Sequence, residues 1–552
     1  MVSDRSTVKP GRYRSAVLDW RGTRRRLLVL AGGAGAAVLR GTGAARAGVN
    51  PLLRSVRVAS TGQPFAGDRP ALATIGGAGR RSARLHFELA ARADVTLNVL
   101  QTGQGALSEK PVSVAASSLT TTERVLGPGA HTLDWVPPAN LPARTYILQL
   151  TGTSALGQTE SVKTVVRLLG VDAAFAQRSA QPGQRVTLVT RTDASSLSVQ
   201  WLHSGPETDT NYANDVVKGI AMGDPVSVDW RRNTSAPAPI ALQVGDWPTG
   251  VYFVQLTADD GRVGYAPLIV RPAAPQARIA VVMPTTTWGA YNFSDADGDG
   301  WGDTWYARWA TDLADLSRPN PNRGVPYHYR SYDIAFQHWL ARTGKTVDFY
   351  ADEDLESFAS PDALRAAYDL LVFPGHTEYV TARQYDLVQG YRDRGGNLMF
   401  LSANNFFRRV DRRGHVVQLI DEWRDLGRPE SALCGVQYDA GDRGKHRAPF
   451  TVVGAGAAPW AFAGTGLADG QTFGLYGIEA DQPAAASPQG LQILAVIPNL
   501  FGPARSAMMT YYEHTSGARV FSAGVLDFGG QILLWPQTQR LMANVWTRLA
   551  PA

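Results

Sequence analysis

Two apolar runs with a helical pattern between them predict the central unit of the fold. Leu370–Phe373 and Leu398–Leu401 are each bounded by turn residues, and the segment that joins them has apolar positions at helical spacing, which is typical of a β-α-β unit. Polar side chains follow each run, at His376–Tyr379 and at Asn404–Asn405. Because ligands bind beyond the carboxyl ends of the strands in an open parallel sheet, the pattern predicts a functional site at these strand ends.

The same alternation of strands and helices extends over residues 277–552 and predicts an α/β domain. It implies a largely parallel sheet that helices cover on both faces. The predicted strands are Ile279–Met283, Val347–Tyr350, Leu370–Phe373, Leu398–Leu401, Leu491–Ile497, Ala507–Tyr512 and Ala518–Ala523, and the predicted helices are Tyr332–Arg342, Pro361–Ala367 and Pro536–Leu549.

Before residue 272 the pattern changes to short strands in which apolar and polar residues alternate. Residues 56–168 and 169–272 are therefore predicted to form two immunoglobulin-like β-sandwiches. Trp135–Thr151 and Asp246–Thr257 both have a Trp and a Pro-containing turn before a strand that ends in Gln-Leu-Thr. This similarity indicates a repeated module, although two strand endings can also match by chance. The predicted fold class is multidomain, with two N-terminal all-β sandwiches followed by the α/β domain.

The first 47 residues predict a twin-arginine-type signal peptide. Thr23–Leu28 contains consecutive arginines, Leu27–Leu39 is a short apolar run, and Ala45–Ala47 offers an A-x-A cleavage site. The apolar run is shorter than the roughly 20 residues that a membrane span needs, so no membrane association is expected after the signal is removed. The chain is therefore predicted to be exported to the periplasm, the cell surface or the medium.

The position of the charges argues against nucleic-acid binding. The net charge is +6, but residues 1–47 contain ten Lys and Arg against Asp4 and Asp19. This segment contributes +8, so the rest of the chain sums to −2 and has no basic excess for a nucleic acid. The single cysteine, Cys434, excludes an intramolecular disulfide and lies in an apolar segment that does not suggest a nucleophile. The sequence also lacks the G-x-S-x-G, P-loop, G-x-G-x-x-G and H-E-x-x-H patterns of serine hydrolases, nucleotide-binding proteins and zincins.

An acidic loop at residues 295–303 predicts a calcium site. Asp295, Asp297 and Asp299 occupy alternate positions, a glycine follows, and Asp303 adds a fourth carboxylate, which resembles the spacing of an oxygen-rich calcium loop. Tyr306 stands where the bidentate glutamate of a complete EF-hand would be. A solvated acidic turn is the alternative interpretation.

The strand-end residues suggest acid–base or metal chemistry. His376, Glu378 and Tyr379 follow a predicted buried strand within six residues, and these side chains are suited to general acid–base catalysis or to metal binding. Alternatively, His376 and Glu378 hydrogen-bond the loop backbone and only stabilise the strand end. Glu479 and Asp481 form a further acidic pair in a region with few charges.

Six motifs in order resemble the C-terminal domain of the N,N-dimethylformamidase large (beta) subunit family. The resemblance covers roughly residues 277–552 and implies an α/β fold similar to the class I glutamine amidotransferases, which is flavodoxin-like. The motifs are Thr287–Asn292, Asp352–Leu355, Pro374–Tyr379, Ala403–Arg408, Trp423–Asp425 and Gly477–Asp481.

The resemblance also implies a metal site. In the amidase, two tyrosines and a glutamate hold a mononuclear iron that hydrolyses small amides. The resemblance implies that Tyr379 is the first tyrosine and Glu479 the glutamate, with iron or another divalent metal at the strand ends. Phe407 stands at the position of the second tyrosine, and phenylalanine cannot ligate iron. If the chemistry is retained, His376 or Glu378 orients or deprotonates water.

The resemblance further implies that Asn404 stabilises the developing oxyanion. Two functions follow as hypotheses. The first is an exported metal-dependent amidohydrolase that acts on an amide or another C–N bond of a small-molecule or cell-wall substrate. The second is an inactive exported binding or cell-surface protein, possible as an oligomer, whose sandwiches recognise a cell-wall or carbohydrate ligand. Trp201, Trp230 and Trp247 suit sugar stacking, but we expect them in the core.

Overall fold

The computed structural model describes residues 51–62, 65, 72–77, 79–103, 110–111, 125–139, 141–210, 212–308 and 311–550. The predicted signal peptide lies outside these ranges, so export stays a prediction. No helix within these ranges is long and apolar enough to cross a membrane. The described chain is a β-rich, multidomain protein in which two all-β parts precede a part that alternates strands and helices.

The first β-domain consists of two sheets around a shared core. One sheet has the strand order β1-β3-β7, and the other has the order β2-β9-β8-β4-β5, with β6 paired to β4. Alternate residues of β3 are buried and meet buried residues of β8 in one apolar cluster. The strands are β1 (Leu53–Ser60), β2 (Ala73–Ile75), β3 (Ala83–Leu89), β4 (Ala93–Gln101), β5 (Lys110–Pro111), β6 (Val125–Leu126), β7 (Gly129–Trp135), β8 (Arg144–Ser154) and β9 (Thr159–Leu168).

The second β-domain also has two sheets, with the orders β10-β12-β15 and β11-β17-β16-β13-β14. Trp201 and Trp230 belong to its apolar core, and the partly buried Trp247 stacks on Tyr252 at 5.3 Å between ring centroids, so the core interpretation of these tryptophans is confirmed. The strands are β10 (Asp172–Phe175), β11 (Ser179–Ala180), β12 (Arg185–Arg191), β13 (Ser196–Ser204), β14 (Ile220–Asp229), β15 (Ala238–Gln243), β16 (Gly250–Ala258) and β17 (Val263–Val270).

The two similar sequence segments form the same local structure. Tyr146 at the start of β8 donates its hydroxyl to the carbonyl of Pro142 at 2.7 Å, and Tyr252 at the start of β16 donates to Pro248 at 2.8 Å. Both tyrosines are fully buried. Each hydroxyl bonds a backbone carbonyl four residues upstream and so fixes the Pro-containing turn to its strand, as expected for a repeated module.

A nine-stranded mixed sheet organises the third part, in the order β20-β18-β21-β23-β32-β31-β30-β27-β28. Its strands are β18 (Ile279–Met283), β20 (Asp348–Ala351), β21 (Leu370–Phe373), β23 (Asn397–Phe400), β27 (Arg447–Val452), β28 (Thr472–Gly477), β30 (Gln492–Ile497), β31 (Ala507–Glu513) and β32 (Arg519–Ser522).

Two smaller sheets complete this part. One has the order β19-β25-β24-β22, and the other pairs β26 with β29. Their strands are β19 (Leu313–Asp315), β22 (Tyr379–Val380), β24 (Arg408–Arg413), β25 (Val416–Glu422), β26 (Gln437–Gly441) and β29 (Glu479–Gln482).

Three helices begin at sequence features that favour helix starts. Thr381 and Gln384 form a capping box at α6, and proline occupies the first turn of α5 and α10. The helices are α1 (Thr285–Ala290), α2 (Trp305–Arg308), α3 (Tyr329–Tyr332), α4 (Ile334–Arg342), α5 (Pro361–Ala367), α6 (Ala382–Arg392), α7 (Ser431–Cys434), α8 (Pro459–Phe462), α9 (Phe528–Gln531) and α10 (Pro536–Leu549), and a 3₁₀ helix spans Asp352–Ser357.

The prediction of a largely parallel sheet needs correction. The five strands from β20 to β32 are parallel, as predicted, but β31, β30, β27 and β28 continue the sheet with antiparallel pairs. The reason is the short turn between β31 and β32, because strands that a tight turn joins can only pair antiparallel. The predicted bounds of β18, β21, α5 and α10 are confirmed.

Contacts of the first β-domain fix the acidic loop. The Thr102 hydroxyl donates to the carbonyl of Gly300 at 2.6 Å, and the Arg167 guanidinium donates to the carbonyl of Asp295 at 2.7 Å. A Cβ built on Gly300 would lie 2.6 Å from the side chain of Ile147. The first β-domain therefore packs tightly on this loop of the third part.

Candidate functional site

A cavity of about 510 Å³ lies at the carboxyl ends of β21 and β23. Residues from the polar clusters after both strands and from the β26–β29 ribbon line this cavity. All five strand-end residues that the sequence pointed to contribute to its wall, namely His376, Glu378, Tyr379, Asn404 and Glu479. The aromatic part of the wall consists of Trp288, Tyr291, Tyr306, Tyr327, Tyr332, Phe407 and Tyr438.

Three tyrosine hydroxyls converge on the carboxylate of Glu378. Tyr291 donates to Oε2 at 2.8 Å, Tyr379 donates to Oε1 at 2.9 Å, and Tyr306 lies 2.8 Å from Oε2 and 3.0 Å from Oε1. The hydroxyls of Tyr306 and Tyr379 also contact each other, and the Trp305 indole donates to Tyr379 at 3.2 Å. Burial raises the pKa of Glu378, and the three hydrogen bonds oppose this shift.

Local backbone geometry positions the remaining residues. Asn404 follows β23 in the left-handed region, with φ of 56°, which asparagine tolerates better than most residues. Its backbone N–H donates to Asp481 Oδ1 at 2.8 Å, and this bond ties the loop to the ribbon that carries Glu479. Ile478, directly before Glu479, has φ of 77°. Two unusual backbone conformations thus aim Asn404 and Glu479 at one cavity.

His376 contacts three polar side chains of the cavity, those of Glu378, Glu479 and Asn404. Its Nε2 lies 3.4 Å from Glu378 Oε2, 3.6 Å from Glu479 Oε2 and 3.4 Å from Asn404 Nδ2. Because Asn404 Nδ2 can only donate, this contact fits an imidazole with its proton on Nδ1. Burial lowers the pKa of His376 to about 3, so the ring is neutral.

Glu479 is poorly satisfied for a buried acid. Burial raises its pKa well above the usual range, and the negative charge of Glu378 adds to this shift. Its Oε2, like Asn404 Oδ1, has no hydrogen-bond partner among the described residues. Buried polar atoms without a partner carry a free-energy cost and call for an explanation. A ligand that these two atoms bind would supply it.

Phe407 lies in the cavity wall between basic side chains. The guanidinium carbons of Arg408 and Arg424 are each 5.2 Å from the centre of its ring, and the ring of Tyr438 is also 5.2 Å away. Arg408 also pairs with Glu422 at 3.0 Å. The Phe407 side chain is therefore fixed by cation–π and aromatic contacts.

Sequence reasoning missed Tyr306, and it placed Tyr291 in the motif Thr287–Asn292 without assigning it a role. Tyr306 lies on α2, directly after the fully buried Trp305, and its ring stacks on Tyr291 at 4.0 Å between centroids. The available signal was the pair Trp305–Tyr306 just after the acidic loop, since Trp and Tyr bury large surfaces and their polar atoms usually find a hydrogen-bond partner when buried. Tyr306 therefore contributes to the cavity and not to the loop.

The acidic loop brings three of its four carboxylates together. Ligand atoms of Asp295, Asp297 and Asp303 lie within 4.8 Å of one another. Asp299 is not in this group, and its Oδ1 accepts the backbone N–H of Trp301 at 2.8 Å. Asp295 also accepts two backbone N–H groups of the loop, and the positive charge of the buried Arg318 acts on both Asp295 and Asp303. Calcium at this loop stays a prediction.

The side chains of the cavity fit the metal ion that the resemblance implies. Phenol and carboxylate oxygens suit hard metal ions, and the hydroxyls of Tyr306 and Tyr379 meet beside Glu378. The partnerless Oε2 of Glu479 offers a further oxygen. Phe407 contributes no ligand atom, so the set differs from the one that the resemblance implies.

Similarities to solved structures are weak. Salmonella alpha-2-macroglobulin reacted with methylamine is 10% identical with a TM-score of 0.21, over 41% of this chain and 17% of that chain. A Paenibacillus cycloisomaltooligosaccharide glucanotransferase complexed with cycloisomaltoheptaose is 10% identical with a TM-score of 0.12, over 21% and 16%. The Bacteroides ovatus protein SGBP-B in complex with a mixed-linkage heptasaccharide is 12% identical with a TM-score of 0.16, over 38% and 45%. The chain spans less than half of the length of each of these proteins. With such low TM-scores, we infer neither fold nor function from these similarities.

A family comparison is more informative. No curated protein matches the chain. The profile of the family described as N,N-dimethylformamidase beta subunit-like, C-terminal, matches residues 189–539. This range covers more than half of the chain, begins within β12 and includes the whole lining of the cavity. The chain therefore belongs to the N,N-dimethylformamidase beta subunit-like, C-terminal family.

Proposed function

We propose that the chain is a metal-dependent hydrolase that cleaves an amide or another C–N bond of a small-molecule or cell-wall substrate. The observation that carries this proposal is the convergence of His376, Glu378, Tyr379, Asn404 and Glu479 on one cavity. Family membership supports the amidohydrolase class, because the family is described by its similarity to an amidase. Fold membership alone would not give the reaction, so the proposal rests on the site.

Tyr379 and Glu479 are the residues that would hold the metal ion. Both are part of the cavity wall, and Glu479 Oε2 has no other hydrogen-bond partner among the described residues. A bound ion supplies Lewis-acid chemistry and lowers the pKa of water. Trp305 orients the Tyr379 hydroxyl through the hydrogen bond from its indole.

His376 is the base in the proposed mechanism. Its ring is neutral, and its Nε2 faces the cavity carboxylates, so Nε2 accepts the proton that a water molecule loses on attacking the carbonyl carbon. Glu378, whose pKa burial raises, lies 3.4 Å from the same nitrogen. It is placed to receive this proton and to return it to the leaving nitrogen.

Asn404 stabilises the oxygen of the tetrahedral intermediate in this scheme. Its Nδ2 is a donor, and its backbone is fixed by the bond to Asp481, so the side chain is preorganised for the developing oxyanion. The aromatic faces of Trp288, Tyr327 and Tyr332 make the wall around it partly apolar. Such a wall limits water near the reacting bond.

The finer fold assignment is part of the same proposal. The paired Tyr146 and Tyr252 hydroxyl bonds to upstream carbonyls resemble the tyrosine corner of immunoglobulin-like domains. The five parallel strands from β20 to β32, with a polar cluster at their carboxyl ends, support a class I glutamine amidotransferase-like domain. We also propose export by the N-terminal signal and a structural calcium ion at Asp295, Asp297 and Asp303.

The test is hydrolysis of an amide panel by the full chain loaded with iron or zinc, measured as amine release. We expect turnover of at least one amide, and we expect His376→Gln to lower kcat by about 10²–10⁴-fold. Gln384→Ala, which changes a buried side chain outside the cavity wall, is the matched control. If the metal-loaded chain releases no amine from any amide, the hydrolase proposal is wrong, and binding to cell-wall polymers is the next assay.

A further inference from the structure

Phe407 leaves the proposed metal site one oxygen short. The resemblance implies two tyrosines and one glutamate as ligands, but the side chain at the second tyrosine position has no donor atom. Its ring is also enclosed by the guanidinium groups of Arg408 and Arg424. The positive charges of these two guanidinium groups disfavour a metal cation next to Phe407. Any further oxygen must therefore come from another segment of the chain.

Tyr306 brings an oxygen to the same place from α2. Its hydroxyl contacts the hydroxyl of Tyr379 and lies within hydrogen-bond distance of both oxygens of Glu378. Tyr291 donates to Oε2 of Glu378 and its ring stacks on Tyr306. Tyr306 is thus the tyrosine that touches both the first tyrosine and the central carboxylate.

The position of Tyr306 is fixed by its surroundings. Trp305 before it is fully buried and donates to Tyr379, and the Thr304 hydroxyl donates to the carbonyl of Ala290. The ring itself stacks on Tyr291 with an interplanar angle of 23°. A side chain that is fixed in this way is preorganised to bind without a large loss of conformational entropy.

The chemistry of the cluster favours a cation among these oxygens. The partly buried phenol of Tyr306, the buried phenol of Tyr379 and the buried carboxylate of Glu378 share one small space. Among the described residues, no positively charged side chain makes a hydrogen bond to Glu378. Burial raises the pKa of both phenols well above the usual range. A metal ion reverses this effect, because a coordinated oxygen loses its proton readily.

We infer that Tyr306 is the second phenolate ligand of the metal site and takes the role that Phe407 cannot fill. The inference rests on the proposed metal-dependent function and specifies its ligands. The site would then be held by Tyr306, Tyr379 and Glu479, with two phenolates drawn from segments that lie far apart in the sequence. Tyr291 remains a hydrogen-bond donor to Glu378 and is not a ligand.

The test is iron binding by the full chain, reconstituted with Fe(III) and measured by elemental analysis and by the visible phenolate-to-iron charge-transfer band. We expect Tyr306→Phe to weaken iron binding by at least about 100-fold. Tyr291→Phe is the matched control, since it removes a hydroxyl from the same carboxylate, and it should keep the iron and the full band. Tyr306→His offers a neutral nitrogen ligand and should keep iron while the band loses about half its intensity.

The outcomes separate this inference from the proposed function. If Tyr379→Phe abolishes iron binding while Tyr306→Phe and Tyr306→His leave affinity and band unchanged, the assignment of Tyr306 is overturned and the proposed function stands. Iron binding that depends on Tyr306, in a chain that hydrolyses no amide, supports the assignment and overturns the hydrolase. If the wild-type chain binds no iron, the assignment is overturned as well. If Tyr306→Phe strongly lowers the melting temperature, the charge-transfer band of Tyr306→His is used instead. A band of about half intensity supports Tyr306 as a ligand, and an unchanged band overturns it.

Discussion

Asp333 is a buried acid that should make the stability of the protein depend on pH. It lies at the start of α4 and is 1% exposed, and its Oδ2 accepts a hydrogen bond from the Trp288 indole at 3.2 Å. Its Oδ1 has no partner among the described residues. Burial raises the pKa of Asp333 to about 8. The native state therefore keeps a proton that the unfolded chain releases near pH 4.

The size of the effect follows from this difference. A raised carboxyl pKa means that the native state binds more protons than the unfolded state between about pH 4 and pH 8, so the free energy of unfolding falls as pH rises through this window. The slope approaches 1.36 kcal/mol per pH unit for one proton. Between about pH 5.5 and 7.5, Asp333 should therefore lower the free energy of unfolding by about 2 to 3 kcal/mol.

The substitution Asp333→Asn removes this titration and keeps the shape of the side chain. We expect the variant to lose the Asp333 part of the pH dependence, so that its stability relative to the wild type improves by about 2 to 3 kcal/mol from pH 5.5 to 7.5. Urea denaturation followed by tryptophan fluorescence measures this difference. Leu541→Ala is the control, because this fully buried residue cannot titrate and its cost of about 2–5 kcal/mol should be the same at both pH values. Equal pH slopes for Asp333→Asn and the wild type would refute the reasoning.

Three further predictions concern the domain junction, a helix cap and the acidic loop. The side chain of Asp193 is fully buried between Arg80 at 3.2 Å and Arg262 at 2.6 Å, so Asp193→Ala should cost about 3–5 kcal/mol and speed proteolysis between the β-domains; an unchanged cleavage rate would contradict this. Thr381→Ala removes the cap of α6 and should cost about 1 kcal/mol in urea denaturation, whereas Thr381→Ser should cost less. Calcium at 100 times its Kd should stabilise the chain by about 2.7 kcal/mol, and Asp303→Asn should abolish the shift in melting temperature; a wild type that does not respond would disprove the calcium site.

The parallel core of the third part was predictable because its signals are local. Leu370–Phe373 is an uninterrupted apolar run, as expected for a strand that is buried on both faces, and Pro536 marks the start of α10. The antiparallel extension was not predicted in this form, because hairpin pairing depends on turns and on contacts between strands. The short strand β24, for example, has the sequence RRVDRR and therefore lacks the apolar pattern that identifies a buried strand.

The polar residues of the candidate site could be deduced from the sequence for a related reason. His376, Glu378 and Asn404 directly follow predicted strands, and the topology of a parallel sheet then brings strand ends together. Tyr306 reaches the cavity from α2 and Tyr291 from the end of α1. The acidic loop before α2 is held in part by contacts with the first β-domain. No periodic pattern in the sequence encodes such a contact.

The anchoring of the acidic loop determines how much of the chain an experiment must keep. The loop that leads to Tyr306 is held by Thr102, Arg167 and Ile147, all of which belong to the first β-domain. A truncated protein that starts at the family match, near residue 189, would lack these anchors and leave the carbonyls of Asp295 and Gly300 without these hydrogen bonds. The N-terminal domain is thus a part of the scaffold of the cavity, and the shortest chain with an intact cavity should begin close to residue 51.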